Sequence, residues 1–324
     1  MLQEINIENY KLFKHLKIEG LKRVNLFAGK NNCGKTALLE ALRIREAGTD
    51  LTVMLHILNQ RDQNSQHFRE QYDPFFNRKQ LDVIPQLDRN SLQINDFSII
   101  RDRKGDNLNY LIQTPKENED TNILRNRLNV SDFNNIEPRD VAVFIPFGTN
   151  DYFPLYQLWS KIVLTEDEDI VVKILKDTII PNLVRMDVNL KSTLVRLKDE
   201  KKPLPLKSLG DGAQRMLLIA IALVSAKGKM LLLDEIESGL HYSVMEKLWE
   251  IIFKYAEELD VQVFATTHSS DAIKSFTYTL EKPENVDKGV YFRMQKNRKT
   301  DETEVVAYDK EDLELSLEAN LETR

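Results

Sequence analysis

Leu2, Ile5 and Ile7 stand roughly every second residue among polar neighbours, and Leu16-Lys17-Ile18-Glu19 repeats the alternation. Period two marks strands with one buried face. The start therefore reads as a small antiparallel sheet leading into the β-rich run Val24-Asn25-Leu26-Phe27-Ala28. From Thr36 the spacing turns helical through Ala37, Leu38, Leu39, Ala41 and Leu42. Further on, Val141 to Pro146 predicts a strand closed by proline, with Phe147-Gly148-Thr149 as a turn. Helical spacing resumes through Leu155, Leu158 and Ile162, and again from Ile170, Val171, Ile174 and Leu175 to Ile180. The run Glu166-Asp167-Glu168-Asp169 suits a helix N-terminus, where the dipole favours carboxylates; a carboxylate metal site is the sharper alternative. A long apolar helix is predicted over Arg215 to Ala226, then a continuous apolar strand, Met230 to Leu233. A helix with Leu248, Ile251, Ile252 and Tyr255 follows, then the strand Val261 to Thr266, a hairpin of Val290–Met294 with Thr303–Tyr308, and an acidic helix, Glu311 to Glu322.

Between these segments the pattern weakens. Gln60 to Gln80 is polar with scattered aromatics, Ser91 to Ile100 and Asn107 to Gln113 look like strands, and Thr114 to Asp140 is charged and loop-rich. The expected organisation is an N-terminal lobe over 1–46, an insertion decorating it over 47–140, a strand and helical subdomain over 141–207, and a C-terminal lobe over 208–324. His67 reads as a surface residue, having no second His or Cys at metal spacing.

Composition narrows the class. With 324 residues, 42% hydrophobic and 30% charged, this is an ordinary globular composition able to bury a sizeable core. The longest apolar stretch, Met216 to Ala226, falls short of the roughly 20 residues of a membrane span. The N-terminus has no secretory pattern, and the single cysteine, Cys33, excludes an internal disulfide framework, so a cytoplasmic protein is expected. A net charge of -6 argues against a surface that is a nucleic-acid sleeve throughout, though not against a local basic patch.

Chemistry concentrates where strand meets helix. Gly29 to Thr36 reads GKNNCGKT, a phosphate loop G-x-x-x-x-G-K-[ST], placed between a strand and a helix as the motif requires. Two glycines let consecutive N–H groups face one anion, and the helix N-terminus adds positive potential. Gly29, Asn31, Asn32, Cys33, Gly34, Lys35 and Thr36 are the expected nucleotide cradle. Lys35 would reach the β- and γ-phosphates and the Thr36 hydroxyl would ligate Mg²⁺. Cys33 reads as a small residue at a variable position, with a lowered thiol pKa and redox sensing as the alternative. In Asn9-Tyr10-Lys11-Leu12-Phe13 an aromatic and a cation are candidates for the adenine and the α-phosphate, against a surface turn with one buried ring. Ser208 to Gln214 carries glycines before a helix, and the strand from Met230 ends in Asp234 and Glu235. The strand from Val261 leads to His268. His241 is expected to be structural.

In this order the motifs resemble the heads of ABC-type ATPases, in the RecF-like and SMC-like branch. They look most like stand-alone AAA-type ATPases similar to the ATPase part of OLD (overcoming lysogenisation defect) proteins. The residues that carry the resemblance are GKNNCGKT at 29–36, SLGDGAQRM at 208–216, LLLDEIESGLH at 231–241 and TTHSSD at 266–271. The implied fold is α/β: a P-loop NTPase, ABC-ATPase-like head with a mixed central sheet, N-terminal antiparallel strands and a helical subdomain. The implied cofactors are ATP and Mg²⁺. Asp234 would hold the metal through water, Glu235 would polarise the attacking water, and His268 would sense the γ-phosphate. Ser208 and Gly210, with Asp211 and Gly212, would meet ATP held by the opposite subunit of a homodimer. Ser238 stands where the family suggests Asn, and Gln113 is the candidate for the metal-contacting glutamine. The tail after His268 is too short for the Toprim domain of complete OLD nucleases, and Asp167 and Asp169 lack a strand before them, so no nuclease is expected. The implied role is an ATP-driven switch or scaffold for a separately encoded effector in phage defence. The alternative is a RecF-like DNA-binding ATPase using Arg293, Lys296, Arg298 and Lys299 on phosphates.

Overall fold

A computed structural model describes residues 1–47, 53, 91–94, 97–104, 107–113, 124–127, 142–147 and 152–308. Gln60 to Gln80, His67 and the acidic segment Glu311 to Glu322 lie outside them. In chain order the strands of the first lobe are β1 (Glu4–Tyr10), β2 (Phe13–Glu19) and β3 (Val24–Ala28), and helix α1 spans Lys35–Ala47. Then come β4 (Ser91–Ile94), β5 (Phe97–Lys104), β6 (Asn107–Gln113), β7 (Leu124–Arg127) and β8 (Ala142–Ile145). Helices α2 (Tyr152–Ile162) and α3 (Glu166–Thr178) precede β9 (Leu183–Val188), β10 (Thr193–Leu197) and β11 (Leu204–Pro205). The last part holds α4 (Asp211–Ser225), β12 (Met230–Leu233), α5 (Met245–Glu258), β13 (Gln262–Thr267), α6 (Ser270–Leu280), β14 (Gly289–Lys296) and β15 (Thr303–Tyr308).

The central sheet has the order β15-β14-β3-β13-β12-β8, parallel throughout except for β15. Every residue of β3, β12 and β13 is buried, which explains why these strands read as near-continuous runs rather than alternations: both faces are covered. On one face Leu26, Leu231, Leu233, Val263 and Ala265 share a core with α4, α5 and α6. On the other, Phe27, Leu232, Phe264 and Phe292 pack with α1 and the β1–β2 pair, and Phe27 stacks on Phe292 at 4.8 Å between ring centroids. The Trp249 indole of α5 donates to the Ala272 carbonyl of α6 at 3.1 Å, so a fully buried ring also joins two helices.

A second, antiparallel sheet runs β2-β1-β4-β5-β6-β7. The strand expected over 91–100 is two strands, with Ile94 paired to Phe97. The four strands from within 47–140 thus extend the sheet begun by β1, with Ile7 opposite Ile94. The third sheet, β11-β10-β9, accompanies α2 and α3. The acidic run is the first turn of α3, capped by the Thr165 hydroxyl, which accepts from the Asp167 N–H. Among the described residues there is no cluster of three or more metal-ligating side chains, and no helix long and apolar enough to cross a membrane.

Strand register sets where the motifs emerge. Ala28 lies opposite Thr267, and Leu233 lies opposite both Ala265 and Ile145. The phosphate loop, Asp234-Glu235 and His268 therefore leave the sheet from one edge, at the carboxyl ends of the parallel strands, where open α/β sheets bind ligands.

Candidate functional site

The loop after β3 has the shape its glycines allow. A Cβ on Gly29 would lie 2.3 Å from the Met294 carbonyl oxygen of β14, and Gly34 has φ 105° with the Phe13 ring 2.8 Å from where its Cβ would be. Lys35 bends back over the loop and donates to the carbonyls of Gly29 at 2.6 Å and Lys30 at 3.2 Å. Lys30, Asn31 and Asn32 are exposed, whereas Cys33 faces inward, and the Thr303 hydroxyl holds its carbonyl at 3.1 Å. Burial pushes the Cys33 thiol up, outweighing the pull of Lys35 in the other direction. The lowered thiol that a helix N-terminus suggests is thus overturned by desolvation.

Asp234 is tied from two sides. The Thr36 hydroxyl donates to its Oδ2 at 2.9 Å, and the Thr266 hydroxyl donates to its Oδ1 at 2.6 Å. The same Thr266 oxygen accepts the Glu235 N–H at 2.9 Å. Glu235 takes a left-handed backbone, φ 48°, an uncommon conformation for a side-chain-bearing residue and one often found at functional sites. Arg215, buried in α4, donates to the carbonyls of Asp234 at 3.1 Å and Glu235 at 3.2 Å. Burial pulls the Arg215 guanidinium down, opposed by Asp234, Glu237 and Glu235. Burial likewise raises the Glu235 carboxyl; His268 and Lys35 pull it down, Glu237 and Asp234 push it up.

His268 follows β13 with its ring half exposed. Its Nδ1 lies 3.1 Å from Glu237 Oε1 and 3.7 Å from Glu235 Oε1, and its main-chain N–H donates to Glu237 Oε1 at 3.0 Å. The structure thus brings Lys35, Thr36, Asp234, Glu235 and His268 to one edge. Thr266, Arg215 and Glu237 complete the arrangement, and sequence reasoning missed them. A threonine inside a strand, an arginine inside a helix and a second glutamate after Asp-Glu carry no signal until the strands are paired.

Ser208 to Asp211 are exposed. Ser208 donates to the Pro205 carbonyl at 2.6 Å, and Gly210, φ 103°, caps α4, which starts at Asp211, four residues before the expected Arg215. A Cβ on Gly212 would stand 3.3 Å from the Gly239 carbonyl, so this segment touches the turn that follows Glu235. His241 is exposed and caps the short turn Tyr242–Val244.

Other candidates are placed elsewhere. Tyr10 is fully buried with its hydroxyl donating to Glu40, and Lys11 forms an ion pair with the same carboxylate. A buried Glu40 needs partners, and in this arrangement these two supply them. Gln113 ends β6 in the antiparallel sheet, with β4 and β5 between it and β1. In the basic hairpin Lys296 pairs with Asp301 at 3.3 Å, and the hairpin's Glu302 pairs with Lys14 of β2 at 2.9 Å, so acids lie beside its cations. A cavity of about 500 Å³ opens at the opposite edge of the central sheet, near Arg23, Arg45, Lys229 and Gln262. Arg23 there pairs with Asp260, and Arg45 with Glu46.

The donor set fits a magnesium nucleotide. A hydroxyl and a carboxylate meet oxygen to oxygen, as a hard cation requires. Beside them the Lys35 ammonium rests on its own loop's carbonyls, a cation at the start of the helix whose first N–H groups suit an anion.

Comparison with known proteins agrees with this geometry. Residues 24–273 match the family described as "AAA domain, putative AbiEii toxin, Type IV TA system", and residues 1–45 match "AAA ATPase domain". An ATP/GTP phosphatase of Helicobacter pylori is 26% identical over 325 aligned positions, covering 85% of this chain and 87% of that protein. Among solved structures, the SMC head domain from Thermotoga maritima superposes with TM-score 0.51 at 12% identity, over 95% of this chain and 99% of that one. An Smc head domain of Pyrococcus furiosus, bound to the C-terminal domain of ScpA, gives 0.52 at 10%, over 98% of each. At such identities the likeness is one of fold, that of an SMC head domain. With most of its length matched by one family, from the strand before the phosphate loop to the helix after His268, this chain belongs to that AAA-domain family.

Proposed function

We propose that the protein binds and hydrolyses ATP with Mg²⁺ at the edge formed by Gly29–Thr36, Asp234-Glu235 and His268. One observation carries the reading: Thr36 of the loop helix donates to Asp234, at the end of β12 two strands away from β3, over 2.9 Å. Phosphoryl transfer needs cationic charge around the phosphates and a carboxylate beside the attacking water. Magnesium, when bound, would supply charge that offsets that of the phosphates. Lys35 would leave the loop carbonyls for the β- and γ-phosphates, while the first-turn N–H groups of α1 hold the same anion. Thr36 and Asp234 would hold the metal, Asp234 through water. Glu235, raised by burial, would take the proton of the attacking water, and His268 would face the terminal phosphate.

The exposed Ser208–Asp211 segment, at the start of α4, supports a second proposal: two copies close on two nucleotides, each signature meeting its partner's phosphate loop. Such a dimer would serve as an ATP-dependent switch for a separately encoded effector in phage defence, in the OLD-like manner. The acids Asp301, Glu302 and Glu304 of the β14–β15 hairpin offset its cations, which favours this over a DNA-binding role. The test is Mg²⁺-dependent phosphate release by wild type, Lys35→Ala and Glu235→Gln, together with light scattering of Glu235→Gln with and without ATP. A wild-type rate no higher than that of Lys35→Ala refutes the ATPase, and a monomer under saturating ATP refutes the sandwich.

A further inference from the structure

Glu237 stands within LLLDEIESGLH, where the resemblance gives it no role, yet it holds His268 more closely than Glu235 does. One oxygen, Oε1, takes the His268 main-chain N–H at 3.0 Å and stands 3.1 Å from the ring Nδ1. A carboxylate only accepts, and its charge 3.1 Å from Nδ1 favours a proton on that nitrogen over a lone pair facing it. Glu237 is itself held in a tight turn, in which Ser238 N–H donates to the Glu235 carbonyl and Leu240 N–H to the Glu237 carbonyl, both at 2.9 Å. Its Oε2 is buried without a hydrogen-bond partner among the described residues, and so is Arg215 Nε. An acid kept at this desolvation cost needs a reason.

Distances supply it. Nδ1 is 3.1 Å from Glu237 but 3.7 Å from Glu235, within hydrogen-bonding range of the first and beyond it for the second. Without Glu237, the nearest acceptor for that N–H is the carboxylate assigned to the attacking water. We propose that Glu237 is a positioning residue that holds His268 by backbone and ring together, fixes its Nδ1–H tautomer, and keeps the imidazole from closing on Glu235. This rests on the ATPase reading for its consequence, but the tautomer is a property of the protein without nucleotide.

The experiment uses the full chain. Nitrogen-15 histidine spectra, with His268 assigned among the five histidines by a His268→Gln variant, read the tautomer directly. Wild type and Glu237→Gln, whose amide oxygen can accept both bonds, should show Nδ1–H. Glu237→Ala should move toward Nε2–H, and its kcat for ATP should fall about 10-fold with KM changed less than about 3-fold, an effect on the chemical step rather than on binding. Glu237→Asp keeps the charge but withdraws it by one methylene, and takes the place of the alanine variant if that fails to fold. An Nε2–H signal in wild type, or an unchanged tautomer and kcat in the shortened variants, overturns the proposal. A tautomer that shifts as expected in a protein without ATPase activity would uphold the positioning and refute the ATPase instead.

Discussion

Thr266→Val removes one oxygen and nothing else of consequence in volume. The hydroxyl, fully buried, donates to Asp234 Oδ1 at 2.6 Å and accepts the Glu235 N–H at 2.9 Å. A hydrogen bond to a charged group contributes about 1.5–3 kcal/mol, and a buried N–H left without an acceptor costs about 1–3 kcal/mol. The added methyl returns about 0.8 kcal/mol of apolar burial. The net loss is about 3 kcal/mol. Over 324 residues, at about 2.1 cal/mol/K each, the unfolding entropy is about 0.7 kcal/mol/K, so Tm falls by about 4 °C. Thr266→Ser keeps the oxygen and loses one methyl, costing about 1 kcal/mol and about 1–2 °C. Activity should fall further than stability suggests, because the same bond anchors the left-handed backbone of Glu235, and misplacing a catalytic group by about 1 Å costs up to about 100-fold in rate. The assay is differential scanning fluorimetry beside steady-state ATPase kinetics. A valine variant within about 1 °C of wild type with the same kcat would refute the reasoning.

Lys35→Ala should abolish measurable ATP binding by calorimetry, and ordinary affinity in that variant would remove the assigned role of the loop. Gly29→Ala forces a Cβ to within 2.3 Å of the Met294 carbonyl, so the loop and β14 must separate; a lower Tm and lost nucleotide binding are expected together. For Glu235 the sign is worked from its raised carboxyl: the folded protein resists ionising it, so the charge costs stability above its folded pKa, and that cost vanishes as pH falls below the ordinary carboxylate range. Glu235→Gln should therefore raise Tm at about pH 7 in the nucleotide-free protein, with the gain disappearing near about pH 4, while hydrolysis slows by about 10²- to 10⁴-fold. Cys33, buried with its thiol pushed up, should react with a thiol reagent only after denaturant is added; rapid labelling of the folded protein would contradict its placement.

The sequence by itself determined the parts whose physics is local. Strand, glycine loop and helix over 24–47 follow from residues close in the chain, because the backbone N–H cradle and the capping geometry are made within one turn. The buried strands β3, β12 and β13 were legible as apolar runs, since a strand covered on both faces has no polar side to show. The acidic first turn of α3 was legible for the same local reason. Tertiary structure decided whatever depends on register. Only the pairing of β3, β13 and β12 puts Thr266 beneath Asp234 and Glu235, and Arg215 against their carbonyls. It alone sends Lys11 and Tyr10 to Glu40, a residue some thirty positions away whose burial could not be read from its letter. The helix start at Asp211 rather than Arg215 has the same origin. Its first turn is polar to the eye, and what holds it is contact with the turn after Glu235, where Gly212 meets Gly239. A side chain's chemistry is written in the sequence, but its partner across a sheet is set by a register that no window of neighbouring residues contains.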